Sequence, residues 1–478
     1  MSVSERRWAG LADRLSGRLV RPTDAGYDLA RQLQIAEFDR VRPAAVAYCR
    51  TTDDVRACLA VADETGVHLA IRSGGHNFAG WSTTDGLVVD LSRMDGVAFA
   101  DGVVRLGPGA QAVDVLDRLG PHGPQIATGV CPTVCPAGFV TGGGLGFQTR
   151  RFGTAADRLV SARVVLADGS VVDCSTEREA DLFWALRGGG GGNFGVVVEL
   201  AVRPTHVPRM TLFTAVWGWD AALDVLDSWQ HWADAAPDEL STEIGAVLPD
   251  AADGATPTVM MHGAYLGGHA EYQRALAELC AAAGADPVHS TADELPYDRA
   301  MLRLFQCEGT SPQQRRRVGT TPEAMLPRQG FLRERHRTFA GPMDGAVVQD
   351  ALRVFDTPRR AGQFRYLAFA ALGGAANAVG RTETAYVHRD ARLLAKFTLI
   401  GANEQPDEME LAAAQDWVDR GFAVLDPPST GHSYVNYPDP ALADWKWAYY
   451  GENYARLAEV KKAYDPAGRF SFAQSIRA

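Results

Sequence analysis

Apolar and polar positions alternate along this chain in two rhythms, and the change between them falls near residue 205. Before it, short apolar runs of strand length are separated by stretches with helical spacing. Residues 45–49, 68–71, 87–91 and 103–106 read as strands, and 52–66 and 111–119 as amphipathic helices, the first capped by Thr52 or Asp53. Residues 159–166 and 170–173 flank Asp168-Gly169, a dipeptide suited to the positive φ of a hairpin turn, so this segment predicts a β-hairpin. A helix over 181–187 and a strand over 194–202 complete this part. Past residue 206 strand-like runs (210–217, 258–266, 364–372, 393–400) are separated by longer helices (221–235, 270–283, 406–424). That pattern predicts an α+β unit whose antiparallel sheet is covered on one face. The polar, basic stretch 315–339 reads as a loop, and 452–464 as a final helix stopped by Asp465-Pro466-Ala467-Gly468.

Length and composition then narrow the classes. A chain of 478 residues exceeds one compact core and implies two domains. The net charge of -11, with no basic stripe, argues against a nucleic-acid partner. Residues 1–17 are polar, so neither a signal peptide nor a membrane span is expected, and the expected location is cytoplasmic. Seven scattered cysteines fit a reduced compartment better than a disulfide framework.

Candidate chemistry gathers where glycines cluster. Arg72-Ser73-Gly74-Gly75-His76-Asn77 follows directly on a strand, and Gly129-Val130-Cys131-Pro132-Thr133-Val134 precedes Thr141-Gly142-Gly143-Gly144-Leu145-Gly146. Glycine loops bring backbone N–H groups close to a ligand such as a pyrophosphate, and an imidazole and a thiol beside them add two nucleophiles. Taken alone, a loop histidine is usually structural and a cysteine usually a small buried hydrophobe. Gly190-Gly191-Gly192-Asn193-Phe194-Gly195 spells the dinucleotide fingerprint G-x-G-x-x-G, but a helix precedes it and a strand follows. A Rossmann site requires the reverse order, so that reading fails.

These loops resemble those of the berberine-bridge-enzyme-like FAD-linked oxidases, which have a vanillyl-alcohol-oxidase-type FAD-binding fold. The pattern is nearest to bacterial oligosaccharide and antibiotic-tailoring members. The resemblance continues in Arg150-Arg151-Phe152-Gly153, in Asp181-Leu182-Phe183-Trp184-Ala185-Leu186-Arg187-Gly188-Gly189, in Asn436-Tyr437-Pro438-Asp439, in Tyr449-Tyr450-Gly451-Glu452-Asn453-Tyr454 and in Gln474-Ser475-Ile476. It implies an α+β protein with a two-subdomain FAD-binding domain, built from 1–205 and a returning tail 445–478. An antiparallel-sheet-and-helix substrate domain, 206–444, is inserted between them.

The resemblance further implies FAD bonded covalently to His76 and Cys131. Arg72, Ser73, Gly74, Gly75, Asn77, Val134, Thr141, Gly142, Gly143, Gly146, Phe147, Gly195, Val197, Tyr450 and Asn453 would complete the cofactor site. Tyr437 matches the family's base-bearing tyrosine, with Tyr434 beside it and Tyr366 as a second phenol. Val134 matches the small, oxygen-permissive residue of the oxidases. His388-Arg389 also matches and reads as a strand-end element. Two positions depart from the pattern. Cys135 stands where the family carries glycine; it either competes for the flavin or fills space, and the second reading is preferred. No carboxylate follows Gly373-Gly374, where the alkaloid-bridging members carry a glutamate.

The expected function is oxidation of an alcohol carbon of a sugar or of a glycosylated or polyketide natural product. Hydride passes to the flavin and dioxygen becomes hydrogen peroxide, as in antibiotic tailoring. The alternatives are an oxidative cyclase or C–N oxidase of the same family, for which a carboxylate base is expected, and a flavin- or carbohydrate-binding protein without turnover.

Overall fold

The computed structural model describes residues 3–120 and 123–478; Met1 and Ser2, the start of the polar N-terminal stretch, lie outside the described residues. Three sheets form the scaffold. The first holds β1 (Arg18–Val20), β2 (Ala45–Tyr48), β3 (Leu69–Arg72) and β4 (Leu87–Asp90) in the order β1-β2-β4-β3. β4 pairs in parallel with both β2 and β3 and is buried along its whole length. An unbroken apolar run is what a strand covered on both faces requires. The helix Thr52–Thr65 starts at a reciprocal cap: the Thr51 hydroxyl accepts from the Asp54 N–H, and the Asp54 carboxylate accepts from the Thr51 N–H. The cap is therefore Thr51, one residue before the expected position. β3 ends at Arg72 and releases the chain directly into the first glycine loop.

The second sheet holds β5 (Val97–Ala100), β6 (Val103–Leu106), β7 (Leu159–Val165), β8 (Val171–Cys174) and β9 (Val196–Val202), all antiparallel, in the order β5-β6-β9-β7-β8. β7 and β8 form the hairpin at Asp168-Gly169.

The third sheet is larger: β10 (Arg209–Gly218), β11 (Leu240–Leu248), β12 (Thr258–Tyr265), β13 (His289–Pro296), β14 (Phe331–Phe339), β15 (Gln363–Ala371) and β16 (Leu393–Gly401). They run antiparallel in the order β13-β10-β12-β11-β15-β16-β14. Helices Ala222–Ala235, His269–Ala283, Gly345–Asp356 and Glu408–Leu425 share one core with the sheet's apolar face, including Trp217, Trp229, Phe355, Phe397 and Trp417. Leu393, Ala395, Phe397 and Leu399 of β16 enter that core, so the intervening Leu394, Lys396 and Thr398 face the other way. Cross-strand register carries this second face across the sheet. His336 lies opposite Lys396, Glu334 and Tyr366 opposite Thr398, and Glu243 opposite His262. A row of ionisable side chains thus lines the face turned away from the helices.

Two expectations are overturned. Residues 331–339 are the edge strand β14 and not part of a loop. Arg333, Arg335 and Arg337 hid the alternation, because each is neutralised by a distant carboxylate: Glu37, Asp419 with Asp439, and Asp426. His388-Arg389 lies outside any strand, and Arg389 is buried in an ion pair with Asp157 at 2.6 Å. The C-terminal helix, Tyr454–Tyr464, returns the tail to the Gly190–Asn193 turn. Its buried Lys461 ammonium donates to the carbonyls of Asn193 and Phe470 and to the Asp465 carboxylate, each at 2.6 Å.

Candidate functional site

A cavity of about 420 Å³ opens between the glycine loops and the polar face of the third sheet. The first loop forms one wall. The backbone N–H groups of residues 73–77 have no protein acceptor among the described residues. A Cβ on Gly74 would stand 2.8 Å from the Thr133 carbonyl oxygen, so only glycine lets these loops meet. Gly190, Gly191, Gly192 and Asn193 form the opposite wall. Ser82 Oγ and Gln474 Oε1 are buried in the lining without a partner among the described residues. Free N–H groups in a nest, close backbone approach and unpaired polar atoms fit a large anionic cofactor with a polar ring system, as FAD is. When bound, FAD supplies a two-electron acceptor.

His76 Nε2 pairs with the Thr133 hydroxyl at 2.8 Å, while Nδ1 makes no hydrogen bond among the described residues. With Nε2–H donating to Thr133, the free Nδ1 carries the lone pair. Burial, then the positive charge of Arg317, pushes the imidazole down to about 4, so it stays neutral at working pH. Cys131 exposes its thiol in the same cavity. Burial raises the thiol's pKa and the Lys396 ammonium opposes the rise. Cys135 is buried beside Gly74 on the wall of the same cavity, and its Sγ donates to the Gly109 carbonyl at 3.5 Å.

Tyr437 closes the cavity from the other side. Phe78 stacks on its ring at 5.6 Å, Tyr434 and His336 meet it edge-on, and its hydroxyl has no partner among the described residues. Tyr434 OH accepts from the Gly144 N–H and from Asn436 Nδ2, both at 2.8 Å, which marks it as a support. Lys396 Nζ lies 5.5 Å from the centroid of the Tyr437 ring and 3.2 Å from Glu243 Oε2. Burial works against the ammonium, yet Glu243 and Glu334 hold its pKa above the ordinary value, so it remains charged. Burial pushes Tyr437 up to about 12, with Lys396 pulling it down. Burial raises Glu334, which has one oxygen on the Thr398 hydroxyl and the other unpaired among the described residues.

Of the residues singled out from sequence, Ser73, Gly74, Gly75, His76, Asn77, Cys131, Val134, Thr141, Gly146, Phe147, Gly195, Val197, Tyr434, Tyr437 and Tyr450 line this one cavity. Arg72, Gly142, Gly143, Asn453 and Tyr366 do not. Arg72 stands behind the wall on Asp90, and Asn453 binds the carbonyls of Arg381 and Thr384. Gly142 packs against Asn436, Gly143 against Tyr386, and Tyr366 lies beneath Lys396. Glu243, His262 and Lys396 were missed, as were Phe472 and Gln474 of the tail. Period-two alternation was the available signal for the first three. It brings Lys396 to the inner face of β16 as surely as Phe397 to the core.

Neutral, buried histidines make the fold acid-sensitive. Burial lowers His336 to about 3 and His388 well below its ordinary value. Unfolded imidazoles bind protons near 6.5, so between there and the native values the unfolded chain takes up more. Stability therefore falls as pH falls, by about 1.4 kcal/mol per pH unit for each such histidine. Thermal unfolding followed from pH 7 to pH 4 should show a steep loss of Tm below 6.5; a flat profile would contradict this account.

Comparison with known proteins agrees with the geometry. Residues 43–175 match the FAD binding domain family and residues 433–477 the berberine and berberine-like family. A chitooligosaccharide oxidase of Gibberella zeae is 30% identical over 460 residues, covering 91% of this chain and 87% of the relative. Physcomitrella patens BBE-like 1 superposes with a TM-score of 0.86 at 25% identity, covering 98% of each chain. A glucooligosaccharide oxidase of Acremonium strictum, described as carrying 6-S-cysteinyl, 8α-N1-histidyl FAD, superposes with a TM-score of 0.84 at 26% identity and 98% coverage of each chain. No helix among the described residues is long and apolar enough to cross a membrane. The protein belongs to the berberine-bridge-enzyme-like family of FAD-linked oxidoreductases.

Proposed function

We propose that this protein is an alcohol oxidase with FAD attached through His76 Nδ1 and Cys131 Sγ. In this reading it oxidises a carbinol of a sugar or a glycosylated or polyketide natural product in the cytoplasm and releases hydrogen peroxide. The observation that carries the reading is the unpartnered Tyr437 hydroxyl facing the same cavity as the free His76 Nδ1 and the Cys131 thiol, with a retained ammonium at its ring. Tyr437 takes the proton of the substrate hydroxyl, and Lys396 stabilises the phenolate this requires. Val134, on the cavity wall, leaves space for dioxygen that a leucine would fill. Residues 1–205 and 445–478 hold the cofactor and 206–444 the substrate.

A C–N oxidase reading gains one observation: Glu243 supplies a cavity carboxylate absent after Gly373-Gly374. Its ion pair with Lys396 lowers its pKa against the effect of burial, which makes it a weak base. The alcohol reading is preferred. Acid precipitation of the yellow protein, followed by mass analysis of its flavopeptides, tests the attachment. Colour should stay with peptides containing His76 and Cys131, and flavin that washes off would refute the reading. Peroxide release with oligosaccharides rather than with amines would separate the two substrate classes.

A further inference from the structure

The arginine-rich segment around residues 315–328 is distant in sequence from both glycine loops and touches neither the cavity nor the sheet face described above, yet it grips the supports of both attachment residues. Toward His76 the contacts run through residues 32–34. Arg317 Nη1 donates to the Gln32 carbonyl at 3.1 Å, and Arg328 Nε to the Leu33 carbonyl at 2.9 Å. Gln34 Nε2 donates to the Pro327 carbonyl at 3.0 Å, and the Gln34 N–H donates to the Gly75 carbonyl at 3.1 Å. Gly75 sits at φ +70° immediately before His76. Toward Cys131 the contacts run through the helix Ala112–Leu119. Arg316 Nη2 pairs with Asp114 at 2.6 Å and Arg315 Nη1 with Asp117 at 2.6 Å. The first N–H groups of that helix, on Ala112 and Val113, donate to the carbonyls of Val134 and Pro132, which bracket Thr133 and follow Cys131.

The charge is as informative as the contacts. Arg72, Arg317 and Arg328 lie near one another; Arg72 pairs with Asp90 and Arg328 with Asp39, whereas Arg317 has no carboxylate partner among the described residues and donates only to the Gln32 carbonyl. Burial and then the two neighbouring guanidiniums depress Arg317 to about 10.

We propose that residues 315–317 are the positioning device for flavin attachment, Arg317 acting on His76 through residues 32–34 and Arg316 acting on Cys131 through the helix Ala112–Leu119. The inference rests on the bicovalent reading above. At His76 a C8α–Nδ1 bond forms while the flavin methyl and the imidazole each lose one proton. At Cys131 a C6–S bond forms while the ring C–H and the thiol each lose one. In each case two electrons pass through the flavin to dioxygen, which leaves with the two protons as hydrogen peroxide. Both steps need the nucleophile within bonding reach of a fixed ring, so a small displacement of either loop is costly.

The test is site-resolved flavopeptide mass analysis of the full-length protein, expressed with Arg317→Met or Arg316→Met. Arg317→Met should lower His76-linked flavin by about tenfold while Cys131 stays modified, and Arg316→Met should do the reverse. Equal loss at both sites in each variant marks a merely structural role and overturns the proposal, as does full attachment at both. Arg317→Gln and Arg316→Gln, which keep a donor and lose the charge, decide in the same way if the methionine variants do not fold. Wild-type protein with no covalent flavin overturns the attachment reading itself, an outcome distinct from any of these.

Discussion

Tyr437→Phe is expected to yield a folded, flavin-bearing protein whose kcat falls by about 10²–10⁴, the usual contribution of a positioned proton acceptor. The change removes one oxygen that has no protein partner among the described residues, so it leaves no buried group newly unpaired. The ring contacts with Phe78, Tyr434 and His336 all survive. Loss of rate without loss of Tm would therefore report chemistry and not packing. Anaerobic stopped-flow reduction of the bound flavin, read from its absorbance, isolates the half-reaction in which the proton is taken. A variant that reduces within about threefold of wild type would remove Tyr437 from the base role. That role would then fall to Glu243, the carboxylate on the same cavity.

Local chemistry explains which parts of this site were legible from sequence. The loops at 73–77 and 141–146 announce themselves because glycine clusters are rare and their function is written in the backbone. Asp168-Gly169 announces the β7–β8 turn for the same reason. The strands of the third sheet that carry plain apolar alternation were readable, whereas β11, β13 and β14 were not. β13 is a polar edge strand, largely exposed, with no buried face to impose a pattern. β14 interleaves arginines with apolar residues, and their acidic partners lie tens to hundreds of positions away.

The same non-locality conceals the polar floor of the cavity. Glu243, His262 and Lys396 sit on three strands whose neighbours in sequence say nothing of one another, and only the pairing order β12-β11-β15-β16 assembles them. No carboxylate follows Gly373-Gly374, and the one on the cavity, Glu243, is delivered by β11 instead. Gly190-Gly191-Gly192 shows the opposite case. The fingerprint fails as a Rossmann turn, and the helix Ala180–Ala185 before it and β9 after it bear that out, yet its glycines still form a cavity wall. A motif can be wrong in mechanism and still mark the right place.

Lys396→Met should separate two roles that one ammonium combines. The first is catalytic. A positive charge 5.5 Å from the Tyr437 ring favours the phenolate, so its loss raises the phenol pKa beyond the already elevated value near 12. The fraction of base form at a given pH falls tenfold per unit, and the rising limb of log kcat/KM moves to higher pH. The second role is structural. Without its partner, half-buried Glu243 must take up a proton or remain an uncompensated charge, costing about 1–3 kcal/mol of stability. The double variant Lys396→Met/Glu243→Gln tells them apart, because it removes the stranded carboxylate without restoring the cation. Tm should recover in the double variant while flavin reduction stays slow and its pH limb stays displaced. Recovery of both would show that Lys396 serves only as the counter-ion of Glu243, leaving the phenolate of Tyr437 to be stabilised by the bound flavin or the substrate.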